Sequence, residues 1–371
     1  MKRRNLVQGM AAAGVLAALP GRACSGPQAR GGGALKILFM GGTGFIGPHM
    51  VQALLDQGHQ LTLFNRGKSN PGIFGDLELI KGDRFTDDIQ QLAGREWDVV
   101  IDTAAYVPRA VNSLLATLKL ATLKQYLFIS TISVYEDFSK PGISETSPTA
   151  TMPDSSSEDV NQYYGALKVL CEQAAEASLP GRVTSVRCGM IVGPGDHTDR
   201  FTYYPERAFR GGDMLAPGAP ADPIQTLDVR DLADWVAHCV AQRIVGTFNA
   251  TSAVGQQSFG EVLELSKRLL NPAVKLHWVP SDFLLEQGLQ QMQDLPFWVD
   301  PAGSLGGVWR VDTRKAIAAG LQTGALANTI GDTHAWYQAQ PAKRREALRA
   351  GLSMPREEEV LLAWSEAYSG D

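Results

Sequence analysis

The chain has 371 residues, with 34 Lys and Arg against 39 Asp and Glu, a net charge of −5, 44% apolar and 20% charged residues. That balance excludes disorder and collagen-like repetition and leaves room for one large or two modest globular domains. Cys24, Cys171, Cys188 and Cys239 are too few and too scattered for a disulfide framework or a zinc site. An isoelectric point near 5.7 argues against a nucleic-acid partner.

Residues 1–23 read as a signal peptide. Lys2, Arg3 and Arg4 precede an apolar run from Leu6 to Leu19, too short to span a bilayer, and Gly21-Arg22-Ala23 offers a small-x-small cleavage site. The pair Arg3-Arg4 before Asn5 and Leu6 looks like a twin-arginine signal, which exports folded proteins, so the expected location is the periplasm or cell envelope. Cys24 stands where a lipidated cysteine would stand, the one route by which this chain would meet a membrane. Cleavage leaves 30 basic against 39 acidic residues, a net charge of −9. Residues 24–33 follow as a glycine-rich linker.

From residue 34 to 192 the pattern alternates β and α. Strand character marks Lys36–Met40, Leu61–Phe64, Leu77–Ile80, Val99–Asp102, Tyr126–Ser130 and Val183–Arg187, and helical spacing runs from Phe45 to Leu55 with Gly58 as a stop. Near-continuous apolar strands separated by helix-length segments predict a parallel sheet covered on both faces. From 193 to 371 the pattern loosens, interrupted by loops such as Ala216–Pro223, and most tryptophans fall here, Trp235 among them. This half is expected to form a smaller substrate lobe, with 224–250 returning to the core.

Three motifs carry the chemistry. Gly41-Gly42-Thr43-Gly44-Phe45-Ile46-Gly47 follows a strand and opens a helix, the context in which spaced glycines let backbone N–H groups approach a pyrophosphate. Tyr164-Gly-Ala-Leu-Lys168 places a phenol and an ammonium four residues apart on one helix face. A free tyrosine is a poor base at neutral pH, and a nearby Lys⁺ favours the phenolate, so Tyr164 is expected to act as acid and base on a secondary alcohol or ketone. Phe128-Ile-Ser130-Thr131-Ile-Ser133-Val-Tyr135 puts hydroxyls at the C-terminal end of the fifth strand, where ligands of open α/β sheets bind. These hydroxyls either orient a reacting oxygen or satisfy a turn.

In order and spacing, Lys36 to Glu261 resembles the extended short-chain dehydrogenase/reductases, the group of sugar-nucleotide epimerases and dehydratases. Gly193-Pro-Gly-Asp196 and Leu227–Ala233 belong to the resemblance. It implies a doubly wound Rossmann sheet. Gly41, Thr43, Gly44, Phe45, Ile46 and Gly47 would meet the pyrophosphate, Asp83 would lie near adenine, and Ala104 would line the cofactor site. The implied triad is Thr131, Tyr164 and Lys168, with Lys168 also touching the nicotinamide ribose and Ser133 as the fallback hydroxyl.

The departures narrow this. Asp102 stands where many relatives carry His. Ile132-Ser133 replaces the Asp-Glu pair that dehydratases need. Pro223–Thr226 lacks the Arg that grips a nucleotide-sugar diphosphate. Asn65-Arg66-Gly-Lys68 and Gly82-Asp-Arg84 resemble a side branch that includes chloroplast stem-loop-binding proteins, which opens an RNA-binding alternative that the acidic charge opposes. Asn65 and Arg66 stand where an NAD enzyme offers a carboxylate to the ribose, and Arg66 suits a 2′-phosphate, so NADP is favoured over NAD. Arg200, Tyr203 and Arg207 are candidates for a hydroxylated or acidic substrate. Arg344, Arg345, Arg349 and Glu357–Glu359 read as a solvated helix face, and His49, His197, His277 and His334 as structural, with no metal site.

The expected function is NAD(P)-dependent oxidoreduction or epimerisation at a secondary alcohol or ketone of a carbohydrate-like small molecule. The alternatives are a plain NADPH-dependent reductase and a non-catalytic dinucleotide- or RNA-binding protein.

Overall fold

The computed structural model describes residues 33–368; the expected signal segment, Cys24 and all of the linker except Gly33 lie outside them. Six strands follow the alternation in chain order: β1 (Lys36–Met40), β2 (Gln60–Asn65), β3 (Glu78–Lys81), β4 (Val99–Asp102), β5 (Gln125–Thr131) and β6 (Val183–Cys188). After β6 come β7 (Met190–Val192), β8 (Asp213–Pro217), β9 (Pro223–Ile224), β10 (Thr226–Asp228) and β11 (Gly246–Ala250). The central sheet has seven strands in the order β11-β6-β5-β4-β1-β2-β3, and every pairing within it is parallel. The chain leaves β1 toward β2 on one side and returns to β4 on the other, which opens a crevice at the C-terminal ends of β1 and β4.

The pleat divides β1 between two cores. Ile37 and Phe39 pack with α1 (Gly47–Asp56) and, further along the chain, α5 (Val229–Gln242). Leu38 and Met40 pack with α2 (Pro108–Thr117) and α3 (Val160–Ser178). Helix α1 begins at Gly47 rather than Phe45, because the glycine loop runs two residues further and Pro48 presets the first turn. It ends as expected at Gly58, whose φ of +80° turns the chain out of the helix. Asp159 caps α3 by accepting from the N–H groups of Asn161 and Gln162, and Tyr163 kinks that helix just before Tyr164. Trp235 belongs to this half rather than to the lobe: it lies on α5 and meets Phe248 of β11 edge-on.

A third hydrophobic cluster, around Phe201, Tyr203, Tyr204, Phe297 and Trp298, joins the C-terminal half to Ile132, Val134, Tyr135 and Val169. Strand β8 pairs in parallel with Lys275–Val279, and α4 (Tyr203–Arg210) packs against the helices Phe259–Leu270 and Leu326–Gln338. The C-terminal helix, Met354–Tyr368, is tied down by charge. Glu357, 1% exposed, takes Arg207 at 2.5 Å and the Leu215 N–H at 2.8 Å.

Candidate active site

The glycine loop leaves β1 at the crevice. No heavy atom lies within 4 Å of where a Cβ on Gly44 would stand, whereas a Cβ on Gly47 would sit 2.5 Å from the carbonyl carbon of Gly42. Gly44 therefore faces open space, and Gly47 is where α1 presses on the loop. Ile46, the N-cap of α1, brings no side chain to the first-turn amides. An open cradle below uncapped, positively polarised N–H groups fits a pyrophosphate. The loop is braced from the β2 side: Asn65 donates to the Gly41 carbonyl at 2.8 Å and accepts from the Gly67 N–H, and Asn70 donates to the Thr43 carbonyl at 2.9 Å. Asn65 thus shapes the loop, a use its sequence position did not announce. Arg66 is exposed and forms no ion pair with a described residue.

Across the crevice, β5 and α3 present the hydroxyl, the phenol and the ammonium. Thr131 caps the short turn Ile132–Val134, accepting from the Ser133 N–H and donating to the Ser133 hydroxyl, both at 3.1 Å. Helix α3 reaches this turn because residue 165 is glycine: a Cβ there would meet the Ser133 carbonyl oxygen at 2.0 Å. The Tyr164 ring lies 6.3 Å from that of Tyr106, which is itself 46% exposed. Tyr164 is 37% exposed as a residue, yet desolvation pushes its pKa up to about 12; Tyr106 adds to this, while the Thr131 hydroxyl and the Arg200 guanidinium pull it down.

That is the opposite direction from the expected activation by Lys168. The reason is geometric. Lys168 is 3% exposed and donates to the carbonyls of Ala105 at 2.9 Å and Ile129 at 2.7 Å, its ammonium 3.9 Å from the centre of the Phe128 ring. Burial lowers its own pKa to about 8.

The remaining candidates separate. Arg200 is half-buried in the loop between β7 and α4, its Nε held by Thr198 and its guanidinium against the Met190 sulfur, with no carboxylate partner among the described residues. Tyr203 and Arg207 are 1% and 3% exposed inside the lobe, and Arg207 is consumed by Glu357 and the carbonyls of Gly211 and Asp213, so neither lines the crevice. Their amphipathic spacing faced α4 inward, not outward. Asp83 spends its carboxylate on the Phe85 N–H at 3.0 Å. Ala104 donates its N–H to Asp102 at 2.9 Å. Of the charges expected to be solvated, Arg345, Arg349, Glu358 and Glu359 are exposed, but Glu357 is buried and Arg344 pairs with buried Asp199, whose carboxylate also accepts from the Arg349 N–H. His49 contacts the Pro194 carbonyl at 3.1 Å, so the Gly193–Asp196 loop seats on α1.

A concavity of about 830 Å³ lies at the opposite, N-terminal edge of the sheet, lined by Lys36, Asp98, Lys124 and Arg182. It contains none of the residues just described. Size does not mark the site here; convergence of chemistry does.

Residues 37–250 match the family described as NAD dependent epimerase/dehydratase family. The chain is 30% identical over 213 residues to the chloroplast stem-loop binding protein of 41 kDa b of Arabidopsis thaliana, covering 53% of either chain, so it spans about half the length of that relative. It is 25% identical to a UDP-N-acetyl-alpha-D-glucosaminuronate decarboxylase of Bacillus cytotoxicus, over 69% of this chain and 87% of that protein. In structure it is similar to the UDP-glucuronic acid 4-epimerase of Bacillus cereus in complex with NAD, with a TM-score of 0.60 at 16% identity over 83% of this chain and 99% of that one. Because the family match over residues 37–250 spans more than half of its length, the chain belongs to the NAD dependent epimerase/dehydratase family.

Proposed function

We propose that this protein is an NAD(P)-dependent oxidoreductase or epimerase acting at a secondary alcohol or ketone of a sugar-like substrate. The observation that carries the proposal is the junction of β5 and α3, where the Thr131 hydroxyl reaches the Tyr164 phenol and Lys168, one turn on, is held by the Ile129 carbonyl, with the open Gly44 loop at the same end of the sheet. The named relatives, two of them acting on sugar acids, support the same chemical class. When bound, the nicotinamide would accept and return a hydride. Tyr164, protonated at neutral pH, is ready to give its proton to a ketone oxygen. In the reverse direction its phenolate, the form that the Thr131 hydroxyl and the Arg200 charge favour, takes the alcohol proton. Lys168 holds the nicotinamide ribose in this scheme, and Arg200 meets an acidic or hydroxylated part of the substrate.

The arginine pair and apolar segment of residues 1–23 support export of a folded protein that carries its dinucleotide with it. Outside the inner membrane a retained cofactor favours a cycle in which the hydride returns to the same substrate, so that epimerisation needs no external NAD(P)H. Arg66 supports NADP over NAD. To test this, the protein is isolated from the cell envelope without added cofactor. Near-stoichiometric bound dinucleotide and turnover without supplied NAD(P) are expected, and Tyr164→Phe keeps the dinucleotide but loses turnover by at least 100-fold. An empty protein whose turnover follows supplied NADPH would make it a plain reductase.

A further inference from the structure

Lys168 lies between two buried ion pairs, neither of which the sequence analysis expected as a pair. On the β4 side, fully buried Asp102 takes two hydrogen bonds from Arg84, both at 2.8 Å, one from the Tyr126 hydroxyl at 2.8 Å and one from the Ala104 N–H at 2.9 Å. The next carbonyl, that of Ala105, receives Lys168. Arg84 also donates to the Ala110 carbonyl at 2.8 Å, so it ties the end of β4 to the first turn of α2 across the loop that carries Ala105 and Tyr106.

On the β6 side, Glu172 stands one turn beyond Lys168 on α3. Arg187 grips it through Nη2 at 2.7 Å and Nε at 3.1 Å, and the Ser130 hydroxyl donates to it at 2.5 Å. The carbonyl just before Ser130, that of Ile129, is the second acceptor of Lys168. Each of the two carbonyls that hold the ammonium is therefore next to a residue anchored on a salt-bridged carboxylate.

We propose that Arg84–Asp102 and Arg187–Glu172 are positioning pairs for the reaction: they fix the two carbonyls that aim Lys168 and set negative charge on both sides of it. The proposal rests on the role given above to Lys168 at the nicotinamide ribose. The groups facing Lys168 are Cys171 and Glu172 on its own helix, Cys188 on β6, Asp102 on β4, and the Tyr106 ring at 5.4 Å. Burial pushes the Cys171 and Cys188 thiols up to about 12, so they stay neutral, and the lasting negative charge is that of the two carboxylates. A lysine lowered to about 8 is half-charged at that pH, so one lost carboxylate suffices to change its state.

The test follows the Lys168 Nζ resonance in ¹⁵N-lysine-labelled protein, assigned by its disappearance in Lys168→Met, alongside the pH dependence of NADPH affinity. The wild type is expected to titrate near 8. Asp102→Asn and Glu172→Gln, which keep shape and acceptor, should each lower the midpoint by about one pH unit, leaving roughly a tenth of Lys168 charged at pH 8. Either single change strands a buried arginine and risks the fold. The double variants Asp102→Asn/Arg84→Met and Glu172→Gln/Arg187→Met remove both charges and should fold, with the midpoint still lowered. Folded variants in which melting temperature falls while the Lys168 midpoint stays put would overturn the proposal, leaving the pairs as structural supports. A lowered midpoint with NADPH affinity indifferent to Lys168→Met would uphold the positioning and contradict the ribose role instead.

Discussion

Two glycines three residues apart in one loop have opposite surroundings, and that difference separates folding from binding. A methyl on Gly47 would stand 2.5–2.7 Å from the carbonyl carbon, Cα and oxygen of Gly42, all backbone. Gly47→Ala should cost about 3 kcal/mol, because neither loop nor helix can retreat without giving up packing. Gly44→Ala meets nothing within 4 Å and should shift the melting temperature by no more than about 1 °C. Calorimetry on the pair checks both. Equal losses of stability would mean that Gly44 is structural and that the cradle is misassigned. At this scale the spacing of Gly41, Gly44 and Gly47 was readable from the chain, as were Tyr164 and Lys168. The bracing by Asn65 and Asn70 was not, because it depends on which carbonyls face the end of β2, and no local pattern encodes that. Nor was the role of Gly165 visible, since its need for a missing side chain arises only where α3 meets the Ser133 carbonyl.

Helix α5 links the core to the lobe, and its first turn carries an opposed pair of acids. Asp228 caps it, accepting from the Arg230 N–H and paired to the Arg230 guanidinium, which together with Thr329 hold it below the usual carboxylate range against its burial. Three residues on, Asp231 accepts only from the Gly324 N–H at 2.7 Å among its described hydrogen bonds, and burial pushes it up to about 6. Its folded pKa exceeds the unfolded value, so the associated stability is present below about pH 4 and lost as pH rises through 6. Asp231→Asn keeps the acceptor without the charge. It should therefore stabilise the protein by about 1–2 kcal/mol at pH 7.5, roughly 2–4 °C, and by nothing at pH 3.5. A gain of the same size at both pH values would show that charge is not the cause. The return of 224–250 to the core was expected from the sequence; the imbalance between the acids of α5 was not, since it depends on Gly324, 93 residues further along the chain.

For the whole molecule, all six strands read from alternation between Lys36 and Arg187 are present, and their parallel order places the glycine loop and the β5–α3 junction on one crevice. The doubly wound sheet was readable because its central strands β1, β4 and β5 are near-continuous apolar runs; the edge strand β3 buries only Ile80. The lobe was harder. Arg207, Arg344 and Glu357 look like surface residues in a linear sequence, and only the fold turns them inward to anchor the C-terminal helix and the segment before it. Charge runs are ambiguous for this reason: a buried pair has the same composition as a solvated one.

Calorimetric titration of the full chain with NADP and with NAD tests directly whether the Gly44 cradle binds a dinucleotide for chemistry at Tyr164. The account predicts one site per chain in the wild type, with NADP bound more tightly. Tyr164→Phe should leave both affinities within about twofold, Arg66→Ala should lose affinity for NADP selectively, and Gly44→Val should weaken both by at least 100-fold while its melting temperature holds. A wild-type protein that binds neither dinucleotide, or a folded Gly44→Val that binds both as well as the wild type does, would contradict it.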